Sequence, residues 1–301
     1  MPARRFLFRI LAAVAAGLAC ATALAANLVI GRASEQSSLD PLFARTGNNY
    51  STSESMFDRL VLGDPNNQLH PALALSWRTI DPLNWEIKLR PDVKFHDGSD
   101  FTADDVVYSM ERAKSLAASP ASFAGALVGI AEVKAADRLT VRIRTSRPLP
   151  GLIEQIGRIF IVSAKAAAGL ASADFNTGKG LVGTGPYRFV EYLHGQRLVL
   201  RRNDAYWGRK PDFEQVTLRF IPKEAARVAA LLAGDVDLIE QVPPNQLKSL
   251  AASGKVQLFP IASTRLIYLA LDSDREQSPF VTDAAGRKLE KNPLKDPRVR
   301  R

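Results

Sequence analysis

The sequence predicts an α/β protein, and three observations carry that expectation. Within one segment a period-two pattern gives way to a helical one. Trp85, Ile87 and Leu89 alternate with Glu86, Lys88 and Arg90, whereas past Thr102 the apolar residues Val106, Met110 and Ala113 recur on one helical face. Residues 214–239 read as strand, helix, strand, with Gly234 closing the helix. The chain has 301 residues, 46% apolar and 24% charged, which is enough for a sizeable core and unlike a disordered or fibrous composition.

Residues 1–25 read as a signal peptide. Arg4, Arg5 and Arg9 precede the apolar run Ile10 to Leu18, which is too short to span a bilayer, and Ala23-Leu24-Ala25 is an Ala-x-Ala cleavage pattern. Arg4-Arg5 lacks the spacing of a twin-arginine signal, and Gly17 stands where a lipoprotein box has a Leu-like residue. Export as a periplasmic protein without stable membrane insertion is therefore expected. The single cysteine, Cys20, lies inside the signal, so the mature chain has neither thiol nor disulfide. The net charge is +9; removing the three signal arginines leaves +6. These charges are dispersed, without the aromatic-interleaved basic stripe of a nucleic-acid surface, so no nucleic-acid partner is expected.

The elements follow in order. Leu28 to Ile30 is a short buried strand, and Ser37 to Pro41 a turn. Residues 46–52 read as a polar loop, followed by a helix over Ser53 to Leu62 with Met56, Phe57 and Leu60 inward. After the alternating strand at 85–90, Val93 and Phe95 lead into the turn His96 to Ser99. Thr102 and Asp105 form a capping box for the next helix. Ile130 to Val133 and Leu139 to Ile143 suggest a hairpin. Leu152 to Ile156 fits a short helix, Phe160 to Ser163 a strand, and Ala166 to Asn176 an Ala-rich helix. Gly183-x-Gly185 lacks the third glycine of a dinucleotide loop and runs into a strand rather than a helix. Arg188 to Leu193 and Arg197 to Arg202 make a strand pair. Glu214 to Ile221, Lys223 to Ala233 and Val236 to Ile239 make a β-α-β unit with parallel pairing. A helix over Asn245 to Ala252, strands at Val256 to Ile261 and Leu266 to Leu271, and a polar loop from Asp272 to Asn292 complete the chain.

Several words of this sequence resemble the family-5 extracellular solute-binding proteins, the peptide-, oligopeptide- and nickel-binding subunits of ABC importers. They are Ser-Leu-Asp-Pro (Ser38 to Pro41), Leu-x-x-Ser-Trp (Leu73, Ser76, Trp77), the strand W-x-I-x-L-R from Trp85, VKFHDG (Val93 to Gly98), FTADDVVYSMER (Phe101 to Arg112), GTGPY (Gly183 to Tyr187), Asn203 to Trp207, and P-x-x-D-x-R-V-R (Pro293 to Arg300). The resemblance implies a periplasmic-binding-protein-like fold (type II, cluster C). It implies a first lobe at 26–58 and 183–268 and an inserted satellite subdomain at 59–182. At 269–301 it implies the hinge crossing and the start of a second lobe that is otherwise missing. It implies a monomer that captures a peptide or other small solute in an interlobe cleft and delivers it to the transmembrane subunits of an ABC permease. Nickel, opine or oligosaccharide ligands, or a remnant acting only as a scaffold, are the alternatives. With its second lobe absent, the chain is expected to bind peptide weakly or not at all.

Two segments are candidate ligand contacts. Gly47 allows close backbone approach, Asn48, Asn49, Ser51 and Thr52 offer donors and acceptors, and Tyr50 offers a flat face with a hydroxyl. The other reading of this stretch is a surface loop capping the next helix. Thr264 and Arg265 precede the strand that the resemblance places at the lobe crossing. Arg265 is either a bidentate partner for a ligand carboxylate or a surface arginine. Catalysis is not expected. His70, His96 and His194 have no metal-like pairing, no G-x-S-x-G elbow occurs, and the Asp104-Asp105 pair is explained by its helix start. No cofactor or metal is expected.

Overall fold

The computed structural model describes residues 27–64, 66, 68–116, 119, 121–260 and 268–300. The signal segment and the candidates Thr264 and Arg265 lie outside these residues. The described residues form two compact units that meet in sequence at Val256 and Gln257.

The first unit is organised by two sheets. In the five-stranded sheet the order is β11-β1-β10-β9-β8. Its strands are β1 (Asn27–Arg32), β8 (Tyr187–Leu193), β9 (Arg197–Arg202), β10 (Gln215–Phe220) and β11 (Leu238–Ile239). β1 runs parallel to both β10 and β11, whereas the β8-β9 and β9-β10 pairs are antiparallel. The β-α-β unit is present, but its two strands do not pair with each other as the sequence suggests. β1 takes the place between them and pairs with both. The second sheet is antiparallel, with the order β4-β5-β7-β6. Its strands are β4 (Ala74–Asp81), β5 (Asn84–Leu89), β6 (Ile130–Asp137) and β7 (Thr140–Thr145). β2 (Val61–Gly63) and β3 (Leu69–Pro71) form a separate small hairpin. One apolar cluster, from Leu39 to Phe220, fills the space along both large sheets.

The alternating strand is β5. Trp85, Ile87 and Leu89 are buried as predicted, and so is Glu86, which the alternation aims outward. Arg78 on β4 and Arg142 on β7 flank it, and their guanidiniums hold its carboxyl below the usual range. The capping box is also present: the Asp105 carboxylate accepts from the Thr102 amide at 2.9 Å and from the Ala164 amide at 2.9 Å.

Further expectations are corrected. Residues 46–52 are not a loop. Gly47–Met56 is helix α1, and the predicted helix over Ser53 to Leu62 turns extended at Phe57. The stretch lacks an apolar period, so pattern alone could not reveal this helix; tertiary hydrogen bonds to its polar side chains make it one. Phe160 to Ser163 is buried but is no strand, since only Arg59 bridges Phe160. The helix predicted over Ala166 to Asn176 is two short ones, Ala164–Ala167 and Ser172–Phe175, split where Gly169 takes φ +73°. Residues 256–260 form no strand. In the second unit, residues 268–271 likewise form none; Asn292 there ties the loop together by donating to the Asp272 and Arg275 carbonyls.

The Gly183–Tyr187 turn is clasped rather than free. The His96 amide donates to the Gly183 carbonyl at 2.8 Å, the Gly183 amide donates to His96 Nδ1 at 3.3 Å, and Nε2 lies 3.0 Å from the Gly185 carbonyl. An Nδ1 that accepts requires the proton on Nε2, so this histidine is neutral. It is therefore not the solvated turn residue its sequence setting suggests. Burial, and next the charge of Arg188, pull its pKa down to about 4, against the Gly185 carbonyl. The unfolded chain, near 6.5, then binds more protons than the folded one between those values, so stability falls as pH drops through that window. Relative to His96→Gln, the wild type should lose about 2 kcal/mol more between pH 7 and pH 5 in urea denaturation. Parallel curves for the two proteins would refute the clasp.

Candidate functional site

The carboxyl ends of parallel strands in an open α/β sheet are where such folds take ligands. Arg32 ends β1, and Glu240 follows β11 beside it. The Arg32 side chain is only 3% exposed, and its Nε donates to Glu240 Oε2 at 3.2 Å. The rest of its guanidinium reaches into helix α1. Nη1 donates to Thr52 Oγ1 at 2.9 Å, and Nη2 to Ser51 Oγ at 2.7 Å and Asn48 Oδ1 at 3.4 Å. Positions 48, 51 and 52 share one helical face, which explains how one planar cation meets all three. Asn48 also donates to Ser34 Oγ at 2.6 Å, tying the helix to the loop after β1. Ser51 is exposed and Glu240 partly so, and these present the face to solvent.

The five candidate residues of this helix therefore divide. Asn48, Ser51 and Thr52 are brought together by Arg32. Asn49 turns inward: its carbonyl oxygen accepts from the Ser37 amide at 2.9 Å and from Thr46 Oγ1 at 3.0 Å, so it fixes the chain rather than facing a solute. Tyr50 lies on another face. Its ring packs on Phe160 with centroids 4.9 Å apart, and its hydroxyl accepts from Arg59 Nη1 at 2.5 Å. Burial raises the Tyr50 pKa, against the lowering effect of Arg59.

Sequence reading missed Arg32 and Glu240. Their signal was a charged residue closing each of two short apolar strands, a position where a charge is rarely buried without a partner. Tyr206 and Trp207 are half-buried and meet at a buried acid. Asp58 accepts from Trp207 Nε1 at 2.7 Å, from Thr184 Oγ1 at 2.9 Å and from Tyr206 Oη at 3.1 Å. Burial pushes the Asp58 pKa up despite these donors.

Among the described residues no helix is long and apolar enough to cross a membrane. Residues 68–301 match the family described as bacterial extracellular solute-binding proteins, family 5 Middle. The chain is 30% identical over 258 residues to the probable D,D-dipeptide-binding periplasmic protein DdpA of Escherichia coli (strain K12), covering 82% of this chain and 49% of that protein. It is 27% identical over 260 residues to the periplasmic murein peptide-binding protein MppA of the same strain, covering 80% and 48%. The chain thus spans about half the length of these relatives. Among solved structures it is similar to MoaA of A. tumefaciens R10 in complex with mannopinic acid (TM-score 0.68, 31% identity, 76% of this chain and 48% of that one). It is also similar to DppA of Helicobacter pylori in complex with the peptide STSA (TM-score 0.64, 28% identity, 75% and 48%). These relatives share the periplasmic-binding-protein fold, and family matching covers most of this chain: it belongs to the family-5 bacterial extracellular solute-binding proteins.

Proposed function

We propose that this chain supplies the first-lobe side of the cleft of a periplasmic receptor, one that captures peptides and hands them to an ABC permease without transforming them. The observation that carries this reading is the polar face of Asn48, Ser51 and Glu240, ordered by Arg32 at the carboxyl ends of β1 and β11. An extended peptide presents backbone donors and acceptors that such a face can pair, much as an added strand does. The names of relatives that bind a D,D-dipeptide, a murein peptide and the peptide STSA support peptide as the solute. In this reading 26–58 and 183–268 form the lobe, 59–182 its satellite, and 269–301 the crossing toward a second lobe. An opine is the second reading, favoured by the similarity to the mannopinic acid complex.

NMR titration of the 301-residue chain tests it. Half of a two-lobed cleft offers about half of the contacts, so a tripeptide should bind weakly, with shifts centred on Asn48, Ser51 and Glu240. Shifts confined to other surfaces would remove the site, and cleavage of the peptide would remove the binding-only reading. A response to mannopinic acid with none to peptide would replace the ligand class.

A further inference from the structure

Helix α1 also borders a cavity, through Tyr50, that the polar face does not use. The cavity has a volume of about 400 Å³, within the range that accommodates small ligands. Arg45, Tyr50, Arg59, Leu69, Glu154 and Arg158 line it. Three guanidiniums border this space, against two nearby carboxylates. Arg59 pairs with Glu54 at 2.5 Å, and Arg158 with Glu154 at 3.2 Å. Arg45 donates only through Nε, to the Ala121 carbonyl at 3.4 Å, and among the described residues no carboxylate is in ion-pair distance of it.

The three cations differ in kind. Arg59 is 14% exposed, and its guanidinium is held over the rings of Tyr50 at 5.0 Å and Phe160 at 5.6 Å. It is a preorganised donor that loses little freedom on meeting an anion. Arg158 and Glu154 are 53% and 65% exposed, a surface pair worth little and easily exchanged. Arg45 is exposed as well. One net positive charge remains, with a fixed guanidinium at the wall and two adjustable ones at the rim. Tyr50 on the cavity and Ser51 on the polar face are consecutive residues of α1, so one helix carries both.

We infer that this cavity is a subsite for a carboxylate side chain of the bound solute, and that the receptor prefers acidic peptides. This rests on the peptide reading above. A carboxylate entering here gains charge-assisted hydrogen bonds from Arg45 and Arg158 in front of the fixed Arg59. A neutral amide of the same shape does not.

The test compares Ala-Glu-Ala, Ala-Gln-Ala and Ala-Lys-Ala by NMR titration of the wild-type chain and of the Arg45→Gln/Arg158→Gln double variant. Both substituted side chains are exposed, so the fold should be retained, as an unchanged thermal midpoint would verify. The wild type should bind the Glu peptide about tenfold more tightly than the Gln peptide, or about 1.4 kcal/mol. The double variant should lose that preference while keeping its affinity for the Gln peptide. Equal affinities in the wild type, with Ser51 still shifting, would overturn the subsite and leave peptide binding standing. A preference for the Lys peptide would overturn it too, since Glu54 and Glu154 would then dominate. If no tripeptide shifts either Ser51 or the arginine Nε resonances, the subsite and the peptide reading fall together.

Discussion

Gly183→Ala should destabilise the protein by about 3–5 kcal/mol, a large share of the roughly 5–15 kcal/mol by which ordinary domains are stable. A Cβ at position 183 would lie 1.9 Å from the Met56 carbonyl oxygen and 2.8 Å from the Phe57 ring; one at position 185 would lie 2.4 Å from the Met56 carbonyl carbon. The obstruction is backbone, the last turn of α1, and it cannot swing aside as a side chain can. Making room means moving that turn, which breaks the bond from the Gly185 amide to the Met56 carbonyl at 3.0 Å and strains the His96 clasp. Gly47→Ala is the control. It sits at the first turn of the same helix with nothing within 4 Å of an added Cβ. Helix propensity alone then makes that change neutral or stabilising by up to about 1 kcal/mol. Urea midpoints at constant slope measure both. A Gly183→Ala protein as stable as wild type would mean that this turn and this helix end do not touch.

The contrast shows what the sequence could and could not reveal. Strong periods were legible: β5, the helix Ala103–Ser115 with its capping box, the β6-β7 and β8-β9 hairpins, and the helix Glu224–Ala233 with its Gly234 cap all stand where pattern put them. What pattern cannot carry is an element whose reason for existing lies elsewhere in the fold. Helix α1 is polar nearly throughout, and Arg32, Ser37 and Ser38 from another segment satisfy its side chains. β4 is an exposed edge strand and gave no alternation. The order β11-β1-β10 follows from which apolar strand fills the gap, a choice made by three-dimensional packing and not by neighbours in sequence.

The site was legible to the same degree. Short polar residues over 48–52 marked the stretch whose Asn48, Ser51 and Thr52 Arg32 gathers. Dividing them required knowing the helix, because its turn sends Asn49 inward and Tyr50 to another face while leaving Asn48 and Ser51 beside Arg32. Glu240 is 208 residues from Arg32 in the chain. Only the parallel pairing of β1 with β11 makes them neighbours.

The second large effect tests how that helix is held. Asp40→Ala should cost about 3–5 kcal/mol. Asp40 is fully buried, and its carboxylate accepts from Arg112 Nη2 at 2.7 Å, from Ser172 Oγ at 2.6 Å and from the Leu42 amide at 3.0 Å. Arg112 is itself 9% exposed, lies 4.9 Å from the centre of the Phe175 ring and donates to the Leu170 carbonyl at 2.8 Å. Truncating the acid therefore strands a desolvated cation among apolar groups, and that uncompensated charge, rather than the pair's own worth, sets the cost. Arg112→Met should cost a similar amount by stranding the acid. Joining the two changes removes both charges, so the double variant should be less destabilised than the sum of the singles by at least about 2 kcal/mol. Additive single losses of under about 1 kcal/mol would mean the pair is solvated. Because Asp40 also fixes the turn that runs into α1, its loss should loosen Asn48 and Ser51 before the sheets give way. Amide exchange in α1 that rises no faster than in β5 would show that this helix takes its position without help from Asp40.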